Sequence, residues 1–287
     1  MERRSFVKTT LLSTTAAMIL PKTGFTKPKT EDKNQMYYEI RTYTLKDVLQ
    51  QQLVENYYEK AAIPALNKLG IKNVGVFKSL ESSGGLILIA LIPFKTLTAF
   101  ETVNSKLDQD QTYLKAAASY LNAPANEPAY VRIESSLLKA FKNMPGLDLP
   151  PKSKRIFELR KYEHASESAG KKKLEMFNDA GEIDIFKRLD FKPVFFGETI
   201  IGASRPNLTY MVTFDDMTAH DQYWKSFGGD PEWKKISTIP EYADSKLVSK
   251  ITATFLQPAQ CSQIWSIQKG MMLLEAWESK NIPHSST

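Results

Sequence analysis

Two five-residue runs carry the side chains best suited to chemistry. Glu39-Ile40-Arg41-Thr42-Tyr43 and Glu158-Leu159-Arg160-Lys161-Tyr162 repeat the order Glu, aliphatic, Arg, variable, Tyr. An arginine offers a planar fork of donors that grips a carboxylate or other anion, and a tyrosine hydroxyl donates, accepts or stacks. A glutamate two residues from that arginine serves as its ion-pair partner. Alternate residues of a strand share a face, so each Glu-Arg-Tyr triad forms a polar row. One reading makes the rows a pocket for a small anionic or phenolic ligand, bordered by Glu39, Arg41, Tyr43, Glu158, Arg160 and Tyr162. The plainer reading is a buried Glu–Arg pair in each run, with the tyrosines satisfying spare lone pairs, that fixes how two sheets meet.

Other reactive groups are sparse. The three histidines, His164, His220 and His284, have no partner at the spacings of a metal site, and loop or surface positions account for them. His164, four residues past Arg160, ends the second run and joins the pocket candidates as a general base or haem ligand at a rim. The single cysteine, Cys261, has no neighbouring base and reads as a passive thiol. No metal site is expected, and no cofactor is called for. Hydrolase, nucleoside-triphosphatase and dinucleotide signatures do not occur in the chain.

Composition sets the frame for these residues. A chain of 287 residues that is 42% hydrophobic and 24% charged has the makings of a globular protein with a sizeable core. Its net charge of +6 is concentrated at the start: five cations and one acid fall in residues 1–27. The rest is close to neutral and has no basic stripe, so nucleic acid is not an expected partner. Residues 1–28 are set apart. Arg3-Arg4-Ser5-Phe6-Val7-Lys8 resembles a twin-arginine export signal, and the apolar run behind it is too short for a comfortable membrane span. This implies a periplasmic or envelope location with no lasting membrane insertion. One cysteine cannot make an internal disulfide, so stability must come from core burial.

The repeat extends well beyond its opening motif. A shift of about 120 residues superimposes Ile63 on Ile183, Lys68-Leu69 on Arg188-Leu189, Phe94 on Phe214, Thr98-Ala99 on Thr218-Ala219 and Val131 on Ile251. Each copy reads as strand, helix, strand, strand, helix, strand, with units over 35–138 and 155–257 and a linker over 139–154. In GGDPEW, Asp230 reads as an N-cap and Pro231 as the first helical residue. A βαββαβ unit is ferredoxin-like and leaves one sheet face bare. Two such units can cover each other, which predicts an α+β fold in which tandem ferredoxin-like units pack as one intrachain barrel. The more apolar strand face is expected beneath the helices, so the Glu-Arg-Tyr rows are expected to face the barrel interior.

Tyr37–Leu45 (YYEIRTYTL), FELRKYEH at 157–164 and DPEW at 230–233 resemble the NIPSNAP family, in two tandem copies. That resemblance implies the dimeric α+β barrel group of folds. The wider group includes cofactor-independent monooxygenases, haem enzymes and plain ligand binders, and NIPSNAP itself has no settled catalytic signature to transfer. The leading functional reading is an exported barrel that holds a small organic ligand between its units. A non-catalytic scaffold is the alternative, and a haem- or metal-dependent or cofactor-free oxidoreductase the third choice. The extension over 258–287 has an apolar stretch at 264–280 that reads as a further helix, packed on its own chain or supporting a homo-oligomer.

Overall fold

The structure is a computed structural model that describes residues 35–81 and 85–265. The stretch read as an export signal, the tether expected before residue 35 and most of the C-terminal extension lie outside them. Eight strands close into one antiparallel barrel: β1 Tyr37–Leu45, β2 Gly75–Ser79, β3 Leu86–Phe94, β4 Arg132–Ala140, β5 Ile156–Glu163, β6 Phe195–Ile201, β7 Asn207–Phe214 and β8 Lys250–Pro258. Their order around the barrel is β1-β3-β2-β8-β5-β7-β6-β4. Each unit therefore supplies four consecutive staves. The seams between units are β2 with β8, where Phe77 pairs with Pro258, and β4 with β6, where Ala140 pairs with Gly197.

Helices cover the outside. In the first unit, α1 Val48–Tyr57 runs through a π-helical turn at Tyr58–Ala62 into α2 Ile63–Lys68, and α3 Leu97–Leu107 and α4 Gln111–Leu121 follow β3. In the second, α5 Glu167–Asn178 and α6 Glu182–Arg188 precede β6. After β7 come α7 Met217–Gly229, α8 Pro231–Ser237 and the short α9 Asp244–Leu247. The second helical segment of each unit is split in two, as the Asp230 cap leads one to expect in the second unit. In both, an aspartate starts the second piece: Asp110 accepts from the amides of Thr112 and Tyr113, and Asp230 from those of Glu232 and Trp233. A cap oxygen satisfies amides that the first helical turn leaves without partners. The duplication reaches the side chain that grips the cap. Lys68 binds Asp110 at 2.8 Å and Arg188 binds Asp230 at 2.9 Å, so the paired Lys68 and Arg188 hold equivalent helices.

Three apolar clusters divide the core. One lies between the first unit's sheet and its helices, around Tyr43, Val54, Tyr58, Leu88 and Phe94. A second lies beneath the other unit's helices, around Phe177, Phe186, Phe191, Tyr210 and Phe214. The third fills the barrel itself, with Tyr38, Phe77, Leu138, Phe157, Phe195 and Met211. Within it, Tyr38 stands against Phe195 and Phe77 against Phe157, each pair at 5.0 Å between ring centres and each joining one ring from either unit. Phe77 fits because residue 75 is glycine: a Cβ there would stand 2.5 Å from the Phe77 ring. The segment after β8 runs back along β2, Ala259 bonding Val76 and Gln263 bonding Val74, and buries Ile264 and Trp265 at this end of the barrel.

The strand faces are reversed from the expectation. Tyr38 and Ile40 belong to the interior cluster, as do Phe157 and, at its edge, Leu159, whereas Tyr43 and Tyr162 belong to the clusters beneath the helices. The Glu-Arg-Tyr rows therefore point outward, under the helices. The helix layer is what makes this favourable, because it offers groups that bond polar side chains, such as the Tyr58, Tyr120 and Trp224 donors, and the barrel interior near Tyr38 and Phe157 is apolar. The 139–154 segment is tied to the barrel by backbone bonds: Met36 donates to the Pro145 carbonyl, and Asp148 to that of Val194.

Candidate functional site

Each polar row is bonded within its own unit, apart from the Arg160 Nε, which is buried without a partner. Glu39 is 5% exposed and takes two bonds from the Arg41 guanidinium, at 2.7 and 3.0 Å, and one from the Ser135 hydroxyl at 2.8 Å. Above it, the Tyr43 hydroxyl meets those of Tyr58 at 3.0 Å and Tyr120 at 3.2 Å, and Tyr57 meets Tyr113 at 3.0 Å. Burial, then neighbouring phenols, pushes Tyr57, Tyr58 and Tyr120 well above the ordinary tyrosine range, so all three stay protonated and available as donors. In the second unit Glu158, 1% exposed, accepts from Arg160 at 2.7 Å and from the Trp224 indole at 3.0 Å. His220 Nε2 lies 3.4 Å from the same carboxylate, and the Arg160 guanidinium lies 4.3 Å from the centre of the Trp224 ring. Tyr162 and Tyr210 share a hydroxyl bond of 3.1 Å. These six residues form two separate networks on the outside of the barrel wall, and none of Glu39, Arg41, Tyr43, Glu158, Arg160 or Tyr162 lines the barrel cavity. The bonded Glu–Arg pairs of the plainer reading are present, but they lie between each sheet and its own helices and not where the two sheets meet.

The histidines differ from the surface positions assigned to them. His164 is 6% exposed; its Nδ1 donates to the Leu247 carbonyl at 2.7 Å, and its Nε2 is buried without a partner. Burial, followed by the nearby Lys173 charge, lowers its pKa below the usual value and keeps the ring neutral. It edges a crevice of about 280 Å³ with Glu167, Lys171, Glu198 and Arg205, outside the barrel. His220 is largely buried under the helices through its contact with Glu158, and His284 lies outside the described residues. Cys261 is half-buried, and burial pushes its thiol up to about 12, so it remains the passive thiol expected. Among the described residues no three His, Cys, Asp or Glu side chains cluster as metal ligands, and no helix is long and apolar enough to cross a membrane.

The cavity that both units build is elsewhere. The end of the barrel away from Trp265 opens into a space of about 440 Å³, within the range of small-molecule sites. Its floor is apolar, with Ile40, Leu138 and Leu159. Higher up stand Ile87 and Ile89 on one side and Asn207, Thr209, Thr252 and Thr254 on the other. Glu134 and Lys161 are its charged side chains within the strands, and Lys161 is tied to Glu163 at 3.1 Å. Thr199 donates to Asn207 at 2.6 Å, and the Asn207 amide in turn donates to the Ala203 and Ser204 carbonyls, which fixes that wall. Sequence reasoning overlooked these residues because the rows with conspicuous chemistry were placed inside. The signal was present in the alternation Lys250-Ile251-Thr252-Ala253-Thr254, which marks a polar face on β8.

The NIPSNAP family profile matches residues 38–143 and 157–263, once per unit. The chain belongs to the NIPSNAP family. This NIPSNAP protein shares its fold with two crystal structures of candidate monooxygenases. One, from Lactobacillus acidophilus, is 10% identical over 78% of this chain and 94% of the other, with a TM-score of 0.51. The second, from Fusobacterium nucleatum, is 11% identical over 78% and 93%, with a TM-score of 0.52. Such identities show the fold alone. A NIPSNAP family protein from Agrobacterium tumefaciens, 19% identical, matches 37% of this chain and 93% of its own, with a TM-score of 0.32. No curated protein matches the chain in sequence.

Proposed function

We propose that this NIPSNAP protein is exported through its paired arginines, Arg3 and Arg4, and holds a small organic molecule inside the open end of its barrel. The observation that carries the binding reading is the cavity of about 440 Å³ bounded by strands of both units, with an apolar floor and a hydroxyl-rich wall. A concave site that combines apolar contact with a few fixed polar groups holds a ligand and sets its orientation. The reading is one of binding and not of a named reaction. Among the described residues no histidine or cysteine lines the space, and the Glu-Arg-Tyr rows lie outside it, bonded within their own units.

The test is to fill the cavity. Ile89→Trp projects a larger side chain into it from β3. Native mass spectra and an ultraviolet–visible scan of protein purified from its own host are expected to show a bound mass in the parent that is lost on denaturation and missing from the variant. An unliganded parent that also fails to take up any small-molecule probe would sink the reading in favour of a scaffold. Export is tested separately: Arg3→Lys with Arg4→Lys is expected to leave the protein in the cytoplasmic fraction.

A further inference from the structure

We infer that the ligand is a small organic acid, held in one orientation with its anionic group against Lys161 and its apolar body against Ile40, Ile87 and Ile89. This inference rests on the barrel being a ligand site and concerns which class of molecule that site takes.

The evidence is the way the two halves of the cavity have diverged. Strand register relates the units position by position. Arg41 pairs with Ala90 in β3 and Ser135 in β4, and Arg160 pairs with Tyr210 in β7 and Ala253 in β8. Inside the cavity Thr42 therefore corresponds to Lys161, Ile89 to Thr209, Ile87 to Asn207, Glu134 to Thr252 and Ser136 to Thr254. Two identical halves would present a symmetric lining. Here the first unit contributes the aliphatic wall, and the second contributes a cation flanked in register by Thr209 and Thr252.

Those hydroxyls matter because an anion needs several donors as well as one charge. Thr209 and Thr252 stand beside Lys161 on the two neighbouring strands, so an acid group seated there meets an ammonium and hydroxyl donors together. The acids of the lining, Glu81 and Glu134, both belong to the first unit and are exposed at the rim, Glu134 with Thr42 beside it in register. The Lys161 side chain is 36% exposed, so its charge is less screened than a fully solvated one. Without ligand, Lys161 is held by Glu163, two residues along the same strand and closer to the lip. A bound carboxylate replaces one carboxylate partner by another, leaving Lys161 paired throughout. Glu163 is then a competitor for the site, and removing it strengthens binding.

The experiment compares octanoate and phenylacetate with their neutral amides by titration calorimetry on the full protein. The acids are expected to bind about tenfold more tightly than the amides, with the preference lost in Lys161→Met and increased in Glu163→Gln. A structural role for the Lys161–Glu163 pair would weaken the acids in both variants. Acid and amide binding equally, with both blocked by Ile89→Trp, would overturn the acid assignment and leave the cavity reading standing. Failure of all four probes to bind, with Ile89→Trp indistinguishable from the parent, would overturn both.

Discussion

His164 shows how a residue with functional potential is kept inert by its surroundings. Its Nδ1 proton is committed to the Leu247 carbonyl, its Nε2 is sealed from water, and burial depresses its affinity for a second proton. The sign of the resulting pH effect follows from linkage. Below a pH of about 6.5 the unfolded histidine takes up a proton that the folded one resists, so acidification favours unfolding until the folded pKa is also passed. Urea titrations of the parent at pH 7.5 and pH 5.5 are expected to show a loss of stability, and His164→Asn is expected to reduce that loss. An unchanged pH dependence in the variant would assign it to other groups. The Glu-Arg-Tyr rows make the same point through bonding: Glu158 is buried with a guanidinium, an indole and an imidazole as neighbours, all from its own unit.

At the ends of helices the two units are copies in physical detail. Asp110 and Asp230 cap α4 and α8 and are each gripped by a cation from the helix before the hairpin, Lys68 or Arg188. Asp230→Ala removes the acceptor of two amides and a partner of Arg188, and is expected to cost about 1–2 kcal/mol, measured by chemical denaturation. A loss below a few tenths would show that water replaces the cap. Asp230 was legible in advance as a cap, because Asp-Pro-Glu-Trp carries every local signal of a helix start. The strand positions were equally legible, because alternation and turn residues are local. Which face of β1 and β5 turned inward was not. That choice depends on what the helices offer from far along the chain: Tyr57, Tyr58 and Tyr120 for one row, His220 and Trp224 for the other. Polarity alone ranked Glu39 and Arg41 as interior, and the partners that make them stable under the helices could not be seen in the strand itself. The cavity residues were missed for the same reason, since Thr209 and Thr252 become a site only once the barrel closes.

As a whole, the molecule is one barrel made from two incomplete ones. Each unit alone would expose the interior side chains of its four strands, including Tyr38, Phe77 and Leu138 in the first and Phe157, Phe195 and Met211 in the second. It would also leave a strand edge open on both sides, and exposed apolar sheet faces and edges attract other chains. A fragment of residues 35–141 is therefore expected to self-associate in sedimentation velocity, and to become a 1:1 complex when residues 142–265 are supplied. A soluble, monomeric fragment on its own would show that the interior rings are not what joins the units.

The seams also set the order of events during synthesis. β1 and β3 find both of their partners within the first half of the chain, but β2 waits for β8 and β4 waits for β6. At about 5–20 residues per second, the chain from Ala140 to Pro258 takes roughly 6–24 seconds to make. For that interval the first unit stands on the ribosome as an open, twisted sheet with an apolar face. Closure comes only when β8 emerges, so the barrel becomes native as a single late event near the end of translation, and any factor that shields the nascent protein must act on the first unit during that wait.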